Sequence, residues 1–379
     1  MRSKLLGIAA LALQLASGQG RGGAGAGAGA VGTEKPEEGI PVTNALVIEK
    51  CGTCHTKDDK GNLSRISWER TTPEGWEGAI KRMVRLNGLQ MTPVEARTVL
   101  KYLSTYHGLA PEEAKPVMYI AERRIQDENV PNDNIRSTCM NCHALGRAFS
   151  WRRTKEEWKL LTNLHSALYP QAEAAFRFRM GPQAPAGGGG RGGTGAGGPG
   201  GPGGGGGPMP VDETVDFLAK DYPLHTPEWA AWRARMRAPK IAGRWLVSAY
   251  IIGRGKYYGE MTIEPGVAED EFVTKVNLKS IRGGPSLSQT GTGLVYAGYS
   301  WRGRGKPAGM PAGTSPNDLS HEMRQVMWIA PDQLSAEGRW FWGAYDEFGF
   351  DVKMERASDG PMLITADRTS LKAGTENTA

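Results

Sequence analysis

The sequence predicts an α+β multidomain protein, mainly helical in its first half and closing on an antiparallel β-barrel. Three observations carry this expectation. The pentapeptide C-x-x-C-H occurs twice, as Cys51-Gly52-Thr53-Cys54-His55 and as Cys139-Met140-Asn141-Cys142-His143, and together the copies use all four cysteines of the 379-residue chain. The helical stretch after each copy carries the same landmarks in the same order. From Ala242 onward the texture changes to short alternating segments broken by glycine, the period-2 signal of strands in a barrel or sandwich.

The first 18 residues read as a signal peptide. Arg2 and Lys4 form a charged start, Leu5 to Leu15 an apolar run, and Ala16-Ser17-Gly18 a small-residue cleavage site. The apolar run is too short to cross a bilayer stably, and nothing later is long enough. A periplasmic protein with no membrane span after cleavage is the expectation. Residues 19–40 are rich in Gly and Ala, then acidic, and read as a flexible leader.

A first cytochrome c module is expected over 41–111. Its closing helix starts at Pro93 with Thr92 as N-cap and runs to Leu103, with Val94, Val99, Tyr102 and Leu103 on one face. A second module, 112–238, repeats the first. Ser67-Trp68-Glu69-Arg70-Thr71 recurs as Ser150-Trp151-Arg152-Arg153-Thr154, and each lies just before a second Trp, Trp76 or Trp158, that opens a helical run. Tyr102-Leu103 and Leu109 to Glu112 recur as Phe217-Leu218 and Leu224 to Glu228. Within the second module, residues 182–210 are dominated by Gly and Pro. Nothing there can be buried, and backbone ordering is costliest for Gly, so a disordered insertion is expected.

The barrel is expected over 239–372, with strands at Trp245–Ile252, Tyr258–Ile263, Phe272–Leu278, Leu294–Tyr299, Met323–Ile329 and Arg339–Trp342, and a tail over 373–379. Gly243-Arg244-Trp245 recurs as Gly338-Arg339-Trp340, which suggests equivalent strand starts.

The C-x-x-C-H spacing lets two thiols add to the vinyl groups of one haem while the adjacent histidine reaches the iron. Thioredoxin-like chemistry needs no histidine after its pair. A zinc ribbon needs pairs about 15–20 residues apart, whereas Cys54 and Cys139 are far more widely separated. Two covalently bound haem c groups are therefore expected on Cys51, Cys54, Cys139 and Cys142, with no disulfide. The fold class becomes a mainly helical dihaem cytochrome c domain followed by the barrel.

His55 and His143 are the proximal iron ligands by position. Counting seven residues on from the repeated Trp gives Met83 after Trp76 and His165 after Trp158. Both are donors that haem iron accepts, and they are the expected distal ligands. Met91 and His107 compete at the first iron, Met180 and Met209 at the second; His225 and His321 are not expected to bind iron. A thioether opposite imidazole raises the potential and two imidazoles lower it, so electrons would run from the His165 haem to the Met83 haem. Arg70 and Arg153, at matching places in the repeat, suit a haem propionate through planar bidentate pairing, with surface arginines as the plain alternative. Trp68 and Trp151 are expected as walls of the haem sites. Asp346 and Glu347 read as a strand-end turn.

A net charge of +6, with 46 basic residues interleaved among 40 acidic ones, leaves no basic stripe for nucleic acid and a mild bias toward acidic partners. The chain has no G-x-S-x-G, no H-E-x-x-H and no phosphate-cradling glycine motif.

With the two C-x-x-C-H motifs, the Arg82-Met83-Val84-Arg85 and Tyr102 to Tyr106 stretches, and barrel segments Gly243-Arg244-Trp245, Tyr257 to Met261 and Trp301-Arg302-Gly303, the chain resembles the dihaem α subunit of quinohemoprotein amine dehydrogenase over roughly residues 42–372. The resemblance implies a non-catalytic electron-transfer subunit of an amine-oxidising complex. Its implied partners are a small quinone-bearing catalytic subunit, a β-propeller subunit and a soluble periplasmic electron carrier. Two other readings are a dihaem peroxidase, which needs one releasable distal position, and a haem-linked small-molecule sensor built on the barrel mouth.

Overall fold

A computed structural model of the chain describes residues 37–117, 133–140, 142–143, 145–177, 209–309, 313 and 315–358. The signal peptide, nearly all of the leader, residues 182–208 of the Gly-rich insertion, Met180 and the tail lie outside the described residues.

The helical half begins with α1 (Ala45–Cys51), followed by a short strand β1 (Glu69–Thr71), α2 (Pro73–Leu86), α3 (Pro93–Tyr106) and α4 (Pro111–Ala114). It continues with α5 (Asp133–Cys139), α6 (Gly146–Phe149), β2 (Trp151–Arg153), α7 (Lys155–Leu168), α8 (Pro170–Arg177), α9 (Pro210–Asp221) and α10 (Pro227–Arg235). The expected boundary after residue 111 falls one residue inside α4.

Helix starts follow the expected capping chemistry. Thr92 caps α3 in a full capping box with Glu95, and Pro93 occupies the first helical position, where a missing N–H costs nothing. Val99, Tyr102 and Leu103 are buried as expected, whereas Val94 is 71% exposed. Val94 sits in the first turn, ahead of the point where α3 meets its core, so its place on the helical face brings no burial. That core gathers Val42, Val47, Leu63, Ile66 and Trp76 around the α3 residues.

The duplication is visible in the elements. α2 and α7 both have 14 residues, each N-capped by a threonine, Thr72 or Thr154. The repeated Ser-Trp-x-Arg-Thr segments pair with each other: β1 and β2 form an antiparallel ladder with Glu69 opposite Arg153, Arg70 opposite Arg152 and Thr71 opposite Trp151. Replacing each residue of the Glu69–Arg153 pair by its repeat counterpart gives Arg152–Arg70, which is also a pair of the ladder. The ladder therefore sits on a local two-fold relation between the modules.

Eight strands follow: β3 (Gly243–Ile251), β4 (Gly255–Pro265), β5 (Glu271–Ser280), β6 (Leu287–Tyr296), β7 (Ser300–Pro307), β8 (Met323–Ile329), β9 (Ser335–Trp342) and β10 (Phe348–Arg356). They pair antiparallel in chain order, and β10 closes on β3. The segments expected as strands do not include β7 or β10 and cover only the last three residues of β6. Gly243 starts β3, but Gly338 lies inside β9, so the repeated Gly-Arg-Trp does not mark equivalent strand starts.

Alternation fills the interior: Trp245, Val247, Ala249 and Ile251 of β3 face inward, as do Phe350, Val352 and Met354 of β10. An eight-stranded barrel is just wide enough for side chains to fill it, so a tryptophan inside needs a small residue opposite. Trp301 has Gly293 and Gly303 against its indole; a Cβ on Gly293 would overlap the six-membered ring.

One end of the barrel docks on the helices. Tyr299 Oη donates to Leu109 O (2.9 Å), Trp232 Nε1 to Ala297 O (3.2 Å) and the Lys240 N–H to Gln333 Oε1 (2.7 Å). Arg302 of β7 pairs with Glu74 in the first turn of α2 (Nη2–Oε2 2.9 Å).

Candidate functional site

The first C-x-x-C-H closes a short, well-capped helix. Asn44 Oδ1 accepts from the Val47 N–H at 3.1 Å to start α1, and Val47 is fully buried. At the other end the N–H groups of Cys54 and His55 both donate to Cys51 O, at 3.2 and 2.9 Å, folding the pentapeptide into one turn. Lys50 ties this helix to the start of α3 through Glu95 at 2.8 Å. Cys51 is half-buried and Cys54 exposed. Burial, then the neighbouring Cys54, pushes the Cys51 thiol up to about 11.

The His55 ring is already oriented as a metal ligand. Its Nδ1 lies 2.7 Å from Ser64 O, and a carbonyl only accepts, so Nδ1 carries the proton and Nε2 keeps its lone pair. Ser64 is fixed in turn by its N–H to Thr56 O and by the bridge between Lys57 and Leu63.

The second motif repeats this geometry at the end of α5, where the Cys142 N–H donates to Cys139 O at 3.3 Å. Cys139 is half-buried, and burial, then Cys142, pushes its thiol up to about 11. Asn141 and Ala144 lie outside the described residues. The His143 and His165 rings face each other with centroids 6.4 Å apart and planes 43° from parallel. Two imidazoles on opposite sides of one metal atom, with metal–nitrogen bonds of about 2.0–2.1 Å, have centroids roughly 6 Å apart. His165 Nδ1 lies 2.9 Å from Leu161 O, which leaves Nε2 as its free donor atom. The structure thus brings His143 and His165, widely separated in sequence, to a separation compatible with one iron between them.

Met83 is the eleventh residue of α2 and His165 the eleventh of α7, so the two stand at equivalent places on equivalent helices. Met83 is half-buried, one turn beyond Ile80 and on the same side as Trp76. Met91 packs on the same apolar cluster as Cys51. Of the two thioethers, Met91 is thus the one that shares an apolar cluster with the first motif. His107 is fully buried between Trp76 and Tyr102, at centroid distances of 6.2 and 6.1 Å. Burial, then the charges of Arg233 and Arg70, lowers it to about 3, so it stays neutral. Met209 caps α9 and is half-exposed. His225 and His321 are engaged by backbone carbonyls, Glu38 O and Ser315 O.

The two repeat arginines meet protein carboxylates where haem propionates were expected. Arg70 is fully buried. It donates to Glu113 twice (2.7 and 2.9 Å), to Gly108 O (3.1 Å) and to Leu224 O (2.6 Å), with Trp229 stacked on its guanidinium. Arg153 pairs with Glu69 across the ladder and lies 4.0 Å from the Trp151 ring centroid. A guanidinium this deep needs a charged partner, and each has one within the protein. Trp151 also packs on Trp76, with centroids 5.7 Å apart, and so joins the two modules.

Glu113 is a buried structural residue beside the site that sequence reasoning misses. Besides Arg70 it accepts from the Ala110 N–H (2.8 Å) and Thr226 Oγ1 (2.9 Å), and Arg152 approaches at 3.4 Å. Burial pushes its carboxyl up, but the Arg70 hydrogen bonds and charge outweigh that and hold it below the usual carboxylate range. The available signal is Pro111-Glu112-Glu113 at a helix start, which announces a cap; its reach to Arg70 is a tertiary fact. Glu157, another buried carboxyl, lies 3.0 Å from Arg65. Burial, then the Glu69 carboxylate, pushes it up to about 7.

These residues fit a thioether-bound porphyrin: a cysteine pair in a helix-end turn, a histidine presenting Nε2 and, at the second site, an imidazole across the gap. Comparison with known proteins supports haem binding. Residues 42–179 match the family model described as quinohemoprotein amine dehydrogenase A, alpha subunit, haem binding, and residues 238–357 match quinohemoprotein amine dehydrogenase, alpha subunit domain II. No curated protein matches the chain. Among solved structures, a de novo designed fluorescence-activating β-barrel is 15% identical, covering 31% of this chain and 93% of its own at a TM-score of 0.23. A redesigned β-barrel is 12% identical, covering 31% and 92% at a TM-score of 0.25.

Proposed function

This chain belongs to the quinohemoprotein amine dehydrogenase α-subunit family, and we propose that it is an exported, periplasmic electron-transfer subunit carrying two covalently bound haems. Electrons would arrive from a quinone-bearing amine-oxidising subunit, held beside a β-propeller subunit, and leave to a soluble carrier. No helix among the described residues is long and apolar enough to cross a membrane.

Haem, when bound, supplies a one-electron iron centre; the chain's residues decide how that centre is held and tuned. Cys51, Cys54, Cys139 and Cys142 provide the thioether sulfurs. His55 presents Nε2 because Ser64 O holds Nδ1, and His165 does so because Leu161 O holds its Nδ1. Met83 is proposed opposite His55, with Met91 as the neighbouring thioether. A His/Met pair favours ferrous iron relative to a His/His pair, which gives the direction from the second module to the first. The buried Arg70–Glu113 and Arg153–Glu69 pairs fix the two modules together.

The observation that carries the proposal is the 6.4 Å approach of His143 and His165. The test has two parts. Mass spectrometry of the exported protein should show two added haem masses, and the Cys139→Ala/Cys142→Ala variant only one. With His165→Ala, the reduced second centre should bind carbon monoxide readily, while the wild type stays closed. An exported protein without added haem mass sinks the proposal; carbon monoxide binding to both wild-type centres removes the closed, electron-carrying reading.

A further inference from the structure

The up-and-down meander leaves one barrel end against the helices; the other carries the β3–β4, β5–β6, β7–β8 and β9–β10 connections and, among the described residues, meets no helix. At that second end, exposed apolar side chains concentrate on two neighbouring turns. Ile252 at the β3–β4 tip is 73% exposed and Ile281, just after β5, is 57% exposed. The turns touch: the Ile281 N–H donates to Lys256 O at 3.1 Å. Below the tips, on the outer face, Tyr250 stands opposite Lys256 and Tyr258 opposite Lys279, alternating ring and cation across three strands. Both tyrosines are exposed.

The charge around these tips is one-sided. Arg254 and Arg282 complete the group, Arg254 donating weakly to Asn317 O at 3.4 Å and Arg282 lying along the Gly255 backbone. Among the described residues neither arginine, nor Lys256 nor Lys279, forms a salt bridge with a carboxylate, although the Arg254 charge reaches Asp318. The carboxylates of the same end are engaged: Asp346 with Arg324 and Glu322 with Arg304, both at 3.1 Å, and Asp351, opposite Tyr250, with Arg339 at 3.2 Å. Glu347 and Asp318 accept backbone N–H groups within their own turns, each at 2.8 Å.

We propose that this end of the barrel docks on an anionic lipid surface, with Ile252 and Ile281 entering the headgroup region. Aliphatic side chains on projecting tips suit a soft planar phase better than a protein partner, which needs a complementary recess for them. Tyrosines sit at the depth where a ring can be half wet. Cations outside any salt bridge complement anionic headgroups, each worth a several-fold gain in affinity near the surface.

The experiment is vesicle co-sedimentation of the full-length, haem-loaded protein. The probes are equimolar phosphatidylglycerol/phosphatidylcholine vesicles and pure phosphatidylcholine vesicles at low salt. Binding to the first and little to the second is expected. Arg254→Glu/Arg282→Glu should lower the partition coefficient by at least ~30-fold, and Ile252→Ser/Ile281→Ser should make the remaining binding easy to wash out with salt. All four positions are exposed or half-exposed, so the barrel should fold in each variant; far-UV circular dichroism checks this. Equal binding to both vesicles, or unaltered binding of the charge variant, overturns the proposal. So does binding to immobilised polyglutamate that survives the isoleucine changes while vesicle binding is absent, which would make the partner an acidic protein.

Discussion

Replacing Glu113 with alanine tests how the helical half is held together. The carboxylate accepts from Arg70, Thr226 and the Ala110 N–H and faces Arg152. Arg70 is 0% exposed and Arg152 6%, so truncation leaves two guanidiniums in a low-dielectric interior without their counter-charge. Removing one partner of a buried pair costs about 3–5 kcal/mol. At roughly 2–4 °C per kcal/mol for a unit of this size, the thermal midpoint should fall by about 6–20 °C. The assay is circular dichroism melting of the haem-loaded protein. Arg70→Met/Glu113→Leu, which removes both charges of the closest pair and keeps side-chain volume, should recover part of the loss. Glu113 is held below its ordinary carboxylate range, so its stabilisation is present above the unfolded pKa near 4.3 and lost as pH falls through the folded value. The alanine defect should therefore shrink in acid. A drop of less than about 2 °C at neutral pH, or a double variant no better than the single, would refute the argument.

Gly293→Ala should destabilise the barrel by about 1–3 kcal/mol, because the new methyl meets the Trp301 indole and the ring has Phe272 and Gly303 on its other sides; a shifted tryptophan emission with a lower melting temperature checks it, and an unchanged melt would count against the packing described. Glu157 is raised to about 7 from an ordinary 4.5. The folded protein thus holds that proton more tightly than the unfolded chain, so the contribution is full below about pH 4.5 and disappears as pH rises through 7. Thermal midpoints of the wild type should fall across that window and Glu157→Gln should flatten the fall; parallel pH curves for the two proteins would show that another group titrates.

The helical half was legible where chemistry forces residue types into fixed positions. Threonine caps, proline at the first helical position, the repeated Trp and the C-x-x-C-H turns each mark a position that few other residues can fill. The offset shared by Met83 and His165 needed only the repeat. The arginines were not legible in the same way. Arg70 and Arg153 look alike in sequence, but Glu113 and Glu69 reach them from distant parts of the chain, and sequence spacing carries no trace of that. In the barrel, β7 and the first half of β6 hide because Gly291, Gly293, Gly303 and Gly305 read as turn residues. They are strand residues: the missing side chains of Gly293, Gly303 and Gly305 make room for Trp301, Gln289 and Gln325, and that of Gly291 for the Arg304 carbonyl. β10 carried its signal openly, with Phe350, Val352 and Met354 alternating against Asp351, Lys353 and Glu355; it lies within the expected barrel although it is not among the strand segments named there.

The pairing of β1 with β2 makes the joint between the halves self-complementary, since the same short edge faces itself. A shorter ancestor with one motif would have met a second copy through that edge as a symmetric dimer, at a strength set by its concentration. Tethering the copies turns that encounter into an event within one molecule, where the effective concentration no longer depends on supply. It also frees each half to diverge, and the proposed imidazole on one side with a thioether on the other is a difference that no pair of identical chains can express.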